Sequence, residues 1–276
     1  MIAIHVRLSH KRSATMAIAK PDLIEGMAKG MAVLESFDTE RQRLNATLAA
    51  ERAGITRASA RRHLLTLLHL GYLETDGSYY WLSSKILRFS GTYLASARLP
   101  RAIQPTLNRL AAQTQQSFSA VVRDGDEVVI VARGGNERTL SASVGGRYIA
   151  YGLHVGARLP VHATSTGRLF LASLPKATFS QWFKGRELAR LTHFTVTESK
   201  KFRAVVEQAR RDDYCLASEE HELGVHALAV PLRNAKGQLL AAINLVVASG
   251  HMSQADLLRE FLGPLRDAAL ELRALL

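Results

Sequence analysis

Apolar residues recur at helical spacing through Met27, Met31, Val33, Leu34 and Phe37, and the pattern stops at the polar stretch 38–43. A second helix comes next, with Asn45 as its N-cap and Leu48, Ala49 and Ala53 as its apolar stripe. Gly54 ends that helix and Thr56 caps the next, which is the helix, short glycine turn, helix layout of a helix-turn-helix. Over residues 56–70, Ala60, Leu64, Leu67 and Leu68 fall at i, i+4, i+7 and i+8. An advance of about 100° per residue then puts Ser59, Arg62 and Thr66 on the opposite face, with Arg57 and Ala58 at the exposed first turn. Arg52, Arg57, Arg61 and Arg62 crowd together, and no acidic residue follows Arg52 in this segment. Such a run is either a solvated helix face or a polyanion-binding one. Residues 71–82 favour polyanion binding: Gly71 caps the helix, and residues 72–74 and 79–82 form two short strands around the turn at 75–78. A hairpin directly after a basic second helix is a wing. The unit is expected to be a winged helix-turn-helix whose basic helix enters the major groove. Arg62 and Ser59 would reach bases, and Arg57, Arg61 and the wing residues Ser78 and Tyr79 would hold phosphates.

From Ser83 or Ser84 a helix is expected to run to about Leu99, where Pro100 interrupts it. Beyond it the pattern alternates. Helices are expected at 102–114, 166–173, 176–184, 199–213 and 253–276, the last with Pro264 inside it. Strands are expected at 118–123, 128–133, 147–153, 215–219, 226–232 and 239–247. Hairpins interleaved with helices imply an α+β domain, a sheet with helices packed against it. The expected division is a disordered extension over 1–26, the winged helix-turn-helix over 27–83, a linker helix over 84–99 and a larger domain over 100–276. The extension lacks the apolar stretch of a secretion signal, and Met16 offers an alternative start.

Composition narrows the partners. The 276 residues are enough for two domains, and 36 Lys and Arg against 24 Asp and Glu leave a formal charge of +12 and a pI near 10.2. That balance favours polyanionic partners such as nucleic acid or an anionic membrane, and the winged helix points to double-stranded DNA. No stretch approaches the roughly 18 consecutive apolar residues of a membrane span. The single cysteine, Cys215, can neither close an intrachain disulfide nor build a multi-thiolate metal site, and the cytoplasm is the expected compartment.

Thr164, Ser165, Thr166 and Gly167 precede an apolar helical run, so their N–H groups and hydroxyls either receive an anion or form an ordinary N-cap. His162, His221 and His226 with Glu219 and Glu220 match no compact zinc spacing, and structural roles are favoured over a metal. Cys215 has no phased base beside it and reads as a core residue. Gly134-Gly135 and Gly145-Gly146 lack the strand-loop-helix context of a phosphate loop. No cofactor and no catalytic residue is expected. Three function classes stay open on the residues alone: a ligand-responsive transcription factor, a metal-assisted enzyme tethered to a basic winged helix, and a protein-docking module.

Three separated motifs carry a resemblance. AGITRASARR at 53–62, GARLPVHATSTGR at 156–168, and EEHELG at 219–224 followed by ALAVP at 227–231 resemble the IclR-type bacterial transcriptional regulators. The resemblance implies an N-terminal winged helix, a C-terminal effector-binding domain of GAF-like α/β fold, and a homodimer or dimer of dimers. It maps effector-pocket positions onto Ser165, Thr166, Ala217, Ala227 and Asn244, beside which Gly167 and His226 are candidates. Relatives that take very small keto acids carry an acid and a cysteine where this chain has Ala217 and Ala227. The alanines imply a larger, less polar pocket, suited to a ring bearing a carboxylate. A narrower resemblance, to regulators of the β-ketoadipate pathway, rests on KGMAVLESFD at 29–38, LLTL at 64–67, GYLETDG at 71–77 and YLASARLP at 93–100. It implies an aromatic acid or its ring-cleavage product as effector.

Overall fold

The computed structural model describes residues 19–38, 40–135, 143–144, 147–148 and 154–276. Of the extension expected over 1–26, residues 1–18 lie outside that range, and the remainder already carries a 3-10 turn at Lys20–Asp22 and the start of the first helix. The chain divides into two units between Ser96 and Ala97.

The first unit holds α1 (Glu25–Leu34), α2 (Ala46–Ala53), α3 (Arg57–His69) and a hairpin of β1 (Leu73–Thr75) with β2 (Tyr80–Leu82). The local reasons are those the residues suggest. Asn45 Oδ1 accepts the N–H groups of Thr47 and Leu48 at 3.0 and 2.9 Å, satisfying two of the donors left open at the α2 N-terminus. Gly54 takes φ +66, a left-handed conformation that costs a Cβ-bearing residue strain. Thr56 Oγ1 then accepts from the Ser59 N–H at 3.2 Å to open α3. Val33, Leu44, Ala49, Ala60 and Leu64 are fully buried where the three helices meet.

The connector differs from expectation. Ser83 caps a 3-10 turn at Ser84–Ile86, and α4 (Leu87–Ser96) comes after it, tied to the first unit by Tyr72 stacked on Phe89 at 5.7 Å. The break falls at extended Ala97, not at Pro100, which sits in the first turn of α5 (Arg98–Thr114). A first-turn residue needs no N–H partner inside the helix, so proline starts α5 where it was expected to stop α4.

The second unit adds β3 (Ser117–Asp124), β4 (Glu127–Gly134), β5 (Ser143–Val144), β6 (Arg147–Tyr148), β7 (Arg158–Pro160), α6 (Ser165–Ser173), α7 (Lys176–Phe183), α8 (Ser199–Asp212), β8 (Cys215–Ser218), β9 (Val225–Arg233), β10 (Leu239–Ala248) and α9 (Gln254–Arg273). Six strands form one antiparallel sheet in the order β7-β4-β3-β10-β9-β8. The strand expected over 147–153 is present as β6, paired with β5 away from that sheet, and residues 149–153 lie outside the described residues. Strand alternation sorts the side chains into two layers. Phe118, Leu228, Ile243 and Leu245 face Ile103 and Leu107 of α5 and Leu257 and Leu265 of α9. Val121, Ala229, Ala242 and Cys215 face Leu171 of α6 and Phe202 and Val206 of α8.

Candidate effector pocket and nucleic-acid interface

On α3, Arg57, Ala58, Arg61, Arg62 and Thr66 are exposed and Ser59 is half-buried, its side being turned away from the Ala60–Leu64–Leu67 stripe. Arg57, Arg61 and Arg62 enter no salt bridge among the described residues. Arg52 is different: it pairs with Asp38, which removes it from the free basic face. The Thr66 hydroxyl donates back to the Arg62 carbonyl at 2.8 Å, so it meets a partner as an acceptor. In the wing, Asp76 Oδ1 accepts the N–H groups of Ser78 and Tyr79 at 3.0 and 2.8 Å, and these bonds hold its carboxyl below the usual carboxylate range. Ser78 and Tyr79 therefore offer side chains to a phosphate but not their backbone donors. Arg43 pairs with Asp76 and lies 4.6 Å over the Trp81 ring, offsetting the acid at the wing tip.

The candidate pocket lies where α6 begins over the sheet. Register carries Ser119, Asn244, Ala229 and Cys215 across one rung, and Ser117, Val246, Ala227 and Ala217 across the next rung of the same face. The Arg133 position opposite Ser119 extends the first rung onto β4. Three polar atoms on this side are buried with no hydrogen-bond partner among the described residues: Ser165 Oγ, Asn244 Oδ1 and Ser117 Oγ. An orphaned buried polar atom costs on the order of 1–3 kcal/mol, so three on one side of the sheet single this region out as the candidate site.

The first turn of α6 is more selective than its sequence suggests. Thr164 Oγ1 accepts the Gly167 N–H at 3.1 Å, leaving the N–H groups of Ser165 and Thr166 without a helical partner. Gly167 is consequently not a ligand donor. It is required by packing, because a Cβ there would stand 2.2 Å from the Val161 carbonyl oxygen. His226 is also displaced from its expected place. It is paired with Val247, alternates with Ala227, and so faces the α5 and α9 side, with Nδ1 2.8 Å from Ser218 Oγ. The structure thus brings Ser165, Thr166, Ala217, Ala227 and Asn244 to one side of the sheet and leaves His226 on the other.

Behind the α6 N-terminus lies a fully buried ion pair. Arg168 donates from Nη1 to Glu220 Oε1 at 2.5 Å and from Nη2 to Oε2, and its Nε donates to the His162 carbonyl at 2.9 Å. Glu220 also accepts the Val196 N–H at 3.0 Å, while Thr195 Oγ1 donates to its carbonyl at 2.7 Å. One carboxylate thereby joins the 156–168 motif, the 219–224 motif and the segment before α8. Burial pushes the His162 imidazole below its usual value and raises the Cys215 thiol to about 11, which keeps both neutral near pH 7. Glu219 Oε1 is engaged by the Gly224 N–H at 2.8 Å, and the described residues contain no group of three His, Cys, Asp or Glu placed to hold a metal.

The description of the IclR helix-turn-helix domain matches residues 26–77, and that of the bacterial transcriptional regulator IclR C-terminal matches residues 91–274. The chain belongs to the IclR family of bacterial transcriptional regulators. As an IclR regulator it is 44% identical over 270 residues to the Pca operon regulatory protein of Acinetobacter baylyi, covering 98% of this chain and 95% of that protein. Over 271 residues it is 46% identical to the p-hydroxybenzoate hydroxylase transcriptional activator of the same organism, covering 98% of each. Among solved structures, it resembles a double mutant of the PobR transcription factor inducer binding domain from Acinetobacter in complex with 3-hydroxybenzoic acid. That likeness has 41% identity and a TM-score of 0.59, and it covers 64% of this chain and 98% of that one.

Membership decides among the classes left open by the residues: this is a ligand-responsive regulator that binds DNA through its helix-turn-helix, not an enzyme and not a docking module. Several residues of the IclR architecture carry no such signal in the sequence. Leu65, 38% exposed, and His69 share the outer face of α3 with Arg62. Ser117, Ser119 and Arg133 share the pocket face, which strand alternation from Asn244 would have revealed had the pairing of β3 with β10 been known. The Arg168–Glu220 pair joins residues 52 positions apart and leaves no local signal.

Proposed function

We propose that the chain acts in the cytoplasm as a homodimer or dimer of dimers, that α3 reads a pseudo-palindromic operator, and that the pocket under α6 takes an aromatic acid or its ring-cleavage product. The observation that carries the effector reading is the buried Ser165 hydroxyl, unpartnered among the described residues, at a helix start whose Ser165 and Thr166 N–H groups have no helical partner. The positive end of the helix dipole stands behind these donors, which is the arrangement a carboxylate requires. Ala217 and Ala227 give the ring its space, and Arg133 at the end of the Asn244 rung adds a cation to the same face. The names of two relatives, one governing p-hydroxybenzoate hydroxylase and one the Pca operon, support the same chemistry. An antiparallel sheet with helices on both faces supports the GAF-like description of this unit.

The test is calorimetry with 4-hydroxybenzoate, protocatechuate and β-ketoadipate on wild type, Thr166→Ala and Ala227→Phe, paired with operator-binding assays in each ligand. Thr166→Ala should weaken binding only modestly, since the backbone donors remain, and Ala227→Phe should exclude a ring by overpacking. Unchanged affinity in Ala227→Phe would place the ligand elsewhere. A preference for glyoxylate or pyruvate would overturn the aromatic reading.

A further inference from the structure

The orphaned atoms of the pocket are not chemically alike. Ser165 Oγ and Ser117 Oγ can donate or accept, and the N–H groups of Ser165 and Thr166 only donate. Together these suit an anion. Asn244 Oδ1 only accepts, and it is enclosed with no donor from the described residues. The Asn244 side chain makes no hydrogen bond among the described residues, although it lies in the middle of a six-stranded sheet between Ser119 on β3 and Ala229 on β9. Alanine already occupies positions 227, 229 and 242 on this face, so an asparagine in their midst is no requirement of packing. With Oδ1 turned inward, this acceptor is relieved by a donor arriving with the ligand or a water.

Building on the aromatic-acid reading, we propose that Asn244 is the specificity-determining residue of the pocket, its amide oxygen accepting a hydrogen bond from a neutral hydroxyl on the ring of a monocarboxylic aromatic acid. The donors at the α6 N-terminus hold the carboxylate, and Asn244 reads the second substituent. With Oδ1 turned inward, a second carboxylate would set acceptor against acceptor there. An unsubstituted ring would leave Oδ1 orphaned in the complex. The discrimination is of the kind in which a site built to pair a ligand hydroxyl rejects the analogue lacking it.

Titration calorimetry on the full-length chain tests this with benzoate, 4-fluorobenzoate, 3-hydroxybenzoate, 4-hydroxybenzoate and terephthalate. Fluorine is small and cannot donate, which separates a need for a donor from a need for bulk. At least one hydroxybenzoate should bind about tenfold tighter than benzoate and 4-fluorobenzoate, with terephthalate weakest. In Asn244→Leu, and in the smaller Asn244→Ala, the ratio of hydroxybenzoate to benzoate affinity should collapse to about twofold or less. A loss of the same factor for every ligand would mean a packing role and overturn the assignment. So would a wild-type protein that takes 4-fluorobenzoate or benzoate as well as both hydroxybenzoates, a result that leaves the aromatic-acid reading standing. Failure of every aromatic acid to bind would overturn that reading and this one together.

Discussion

Arg168 is the largest fully buried side chain among the described residues, at 1% exposure, and its partner Glu220 is 8% exposed. Two buried charges are tolerated because the strongest bonds available are made: the guanidinium meets two carboxylate oxygens and a carbonyl, and the carboxylate also takes the Val196 N–H. Desolvation offsets much of the attraction, so the pair contributes more to specifying one arrangement of three segments than to net stability. Breaking it should be costly in a way that replacing it is not. Arg168→Met and Glu220→Leu are each expected to destabilise by about 3–5 kcal/mol, because each strands the other charge in the interior. The double variant should lose clearly less than the two single losses added together. Urea unfolding of the four proteins measures this coupling, and additive losses would show that the two charges do not depend on one another.

Elements whose causes are local were legible in the residues. Asn45 and Thr56 cap α2 and α3 as read, Gly54 makes the turn between them, and the alternation along 226–232 and 239–247 places β9 and β10. Elements or roles set by distant partners were not. Pro100 carries the same local restraint whether it ends one helix or begins the next, and the break at Ala97 has no signal of its own. His226 is a pocket candidate next to Ala227 in sequence, yet adjacency in a strand means opposite faces. The role of α3 belongs to this scale, since one helix presents all of the base-reading groups proposed for it. Arg62 lies at the centre of its outer face, flanked by Ala58 and Thr66, whereas Arg57 and Arg61 lie nearer its margin. We expect Arg62→Ala to cost about 1–3 kcal/mol at the cognate operator and to relax discrimination at one base position. Arg57→Ala should instead weaken specific and random DNA alike and flatten the salt dependence. Competition binding across a salt series separates the two, and an unchanged ratio of specific to random binding in Arg62→Ala would remove it from base reading.

At the scale of the whole molecule, the first unit has more apolar surface than its own core accounts for. Ile24, Met27 and Met31 on or beside α1 are 69%, 67% and 48% exposed, and on α4 Leu87, Phe89 and Tyr93 are 65%, 61% and 49% exposed. Scattered apolar residues on a surface need no explanation, but these recur along two helices of one unit. Burying such side chains contributes roughly 1.5–3 kcal/mol each, enough over a few residues to hold two chains together at micromolar concentration. A closed two-fold assembly would use the same patch twice and present two α3 helices related by symmetry, which is what a pseudo-palindromic operator requires. Light scattering of the full-length chain at micromolar concentration is therefore expected to give at least the mass of a dimer. Phe89→Glu and Met27→Glu should shift it toward monomer and weaken operator binding together, while binding of the aromatic acid by the second unit is kept. A monomeric wild-type mass with full operator affinity would defeat the two-fold argument, and dimers unaffected by both substitutions would move the interface to another face of the chain.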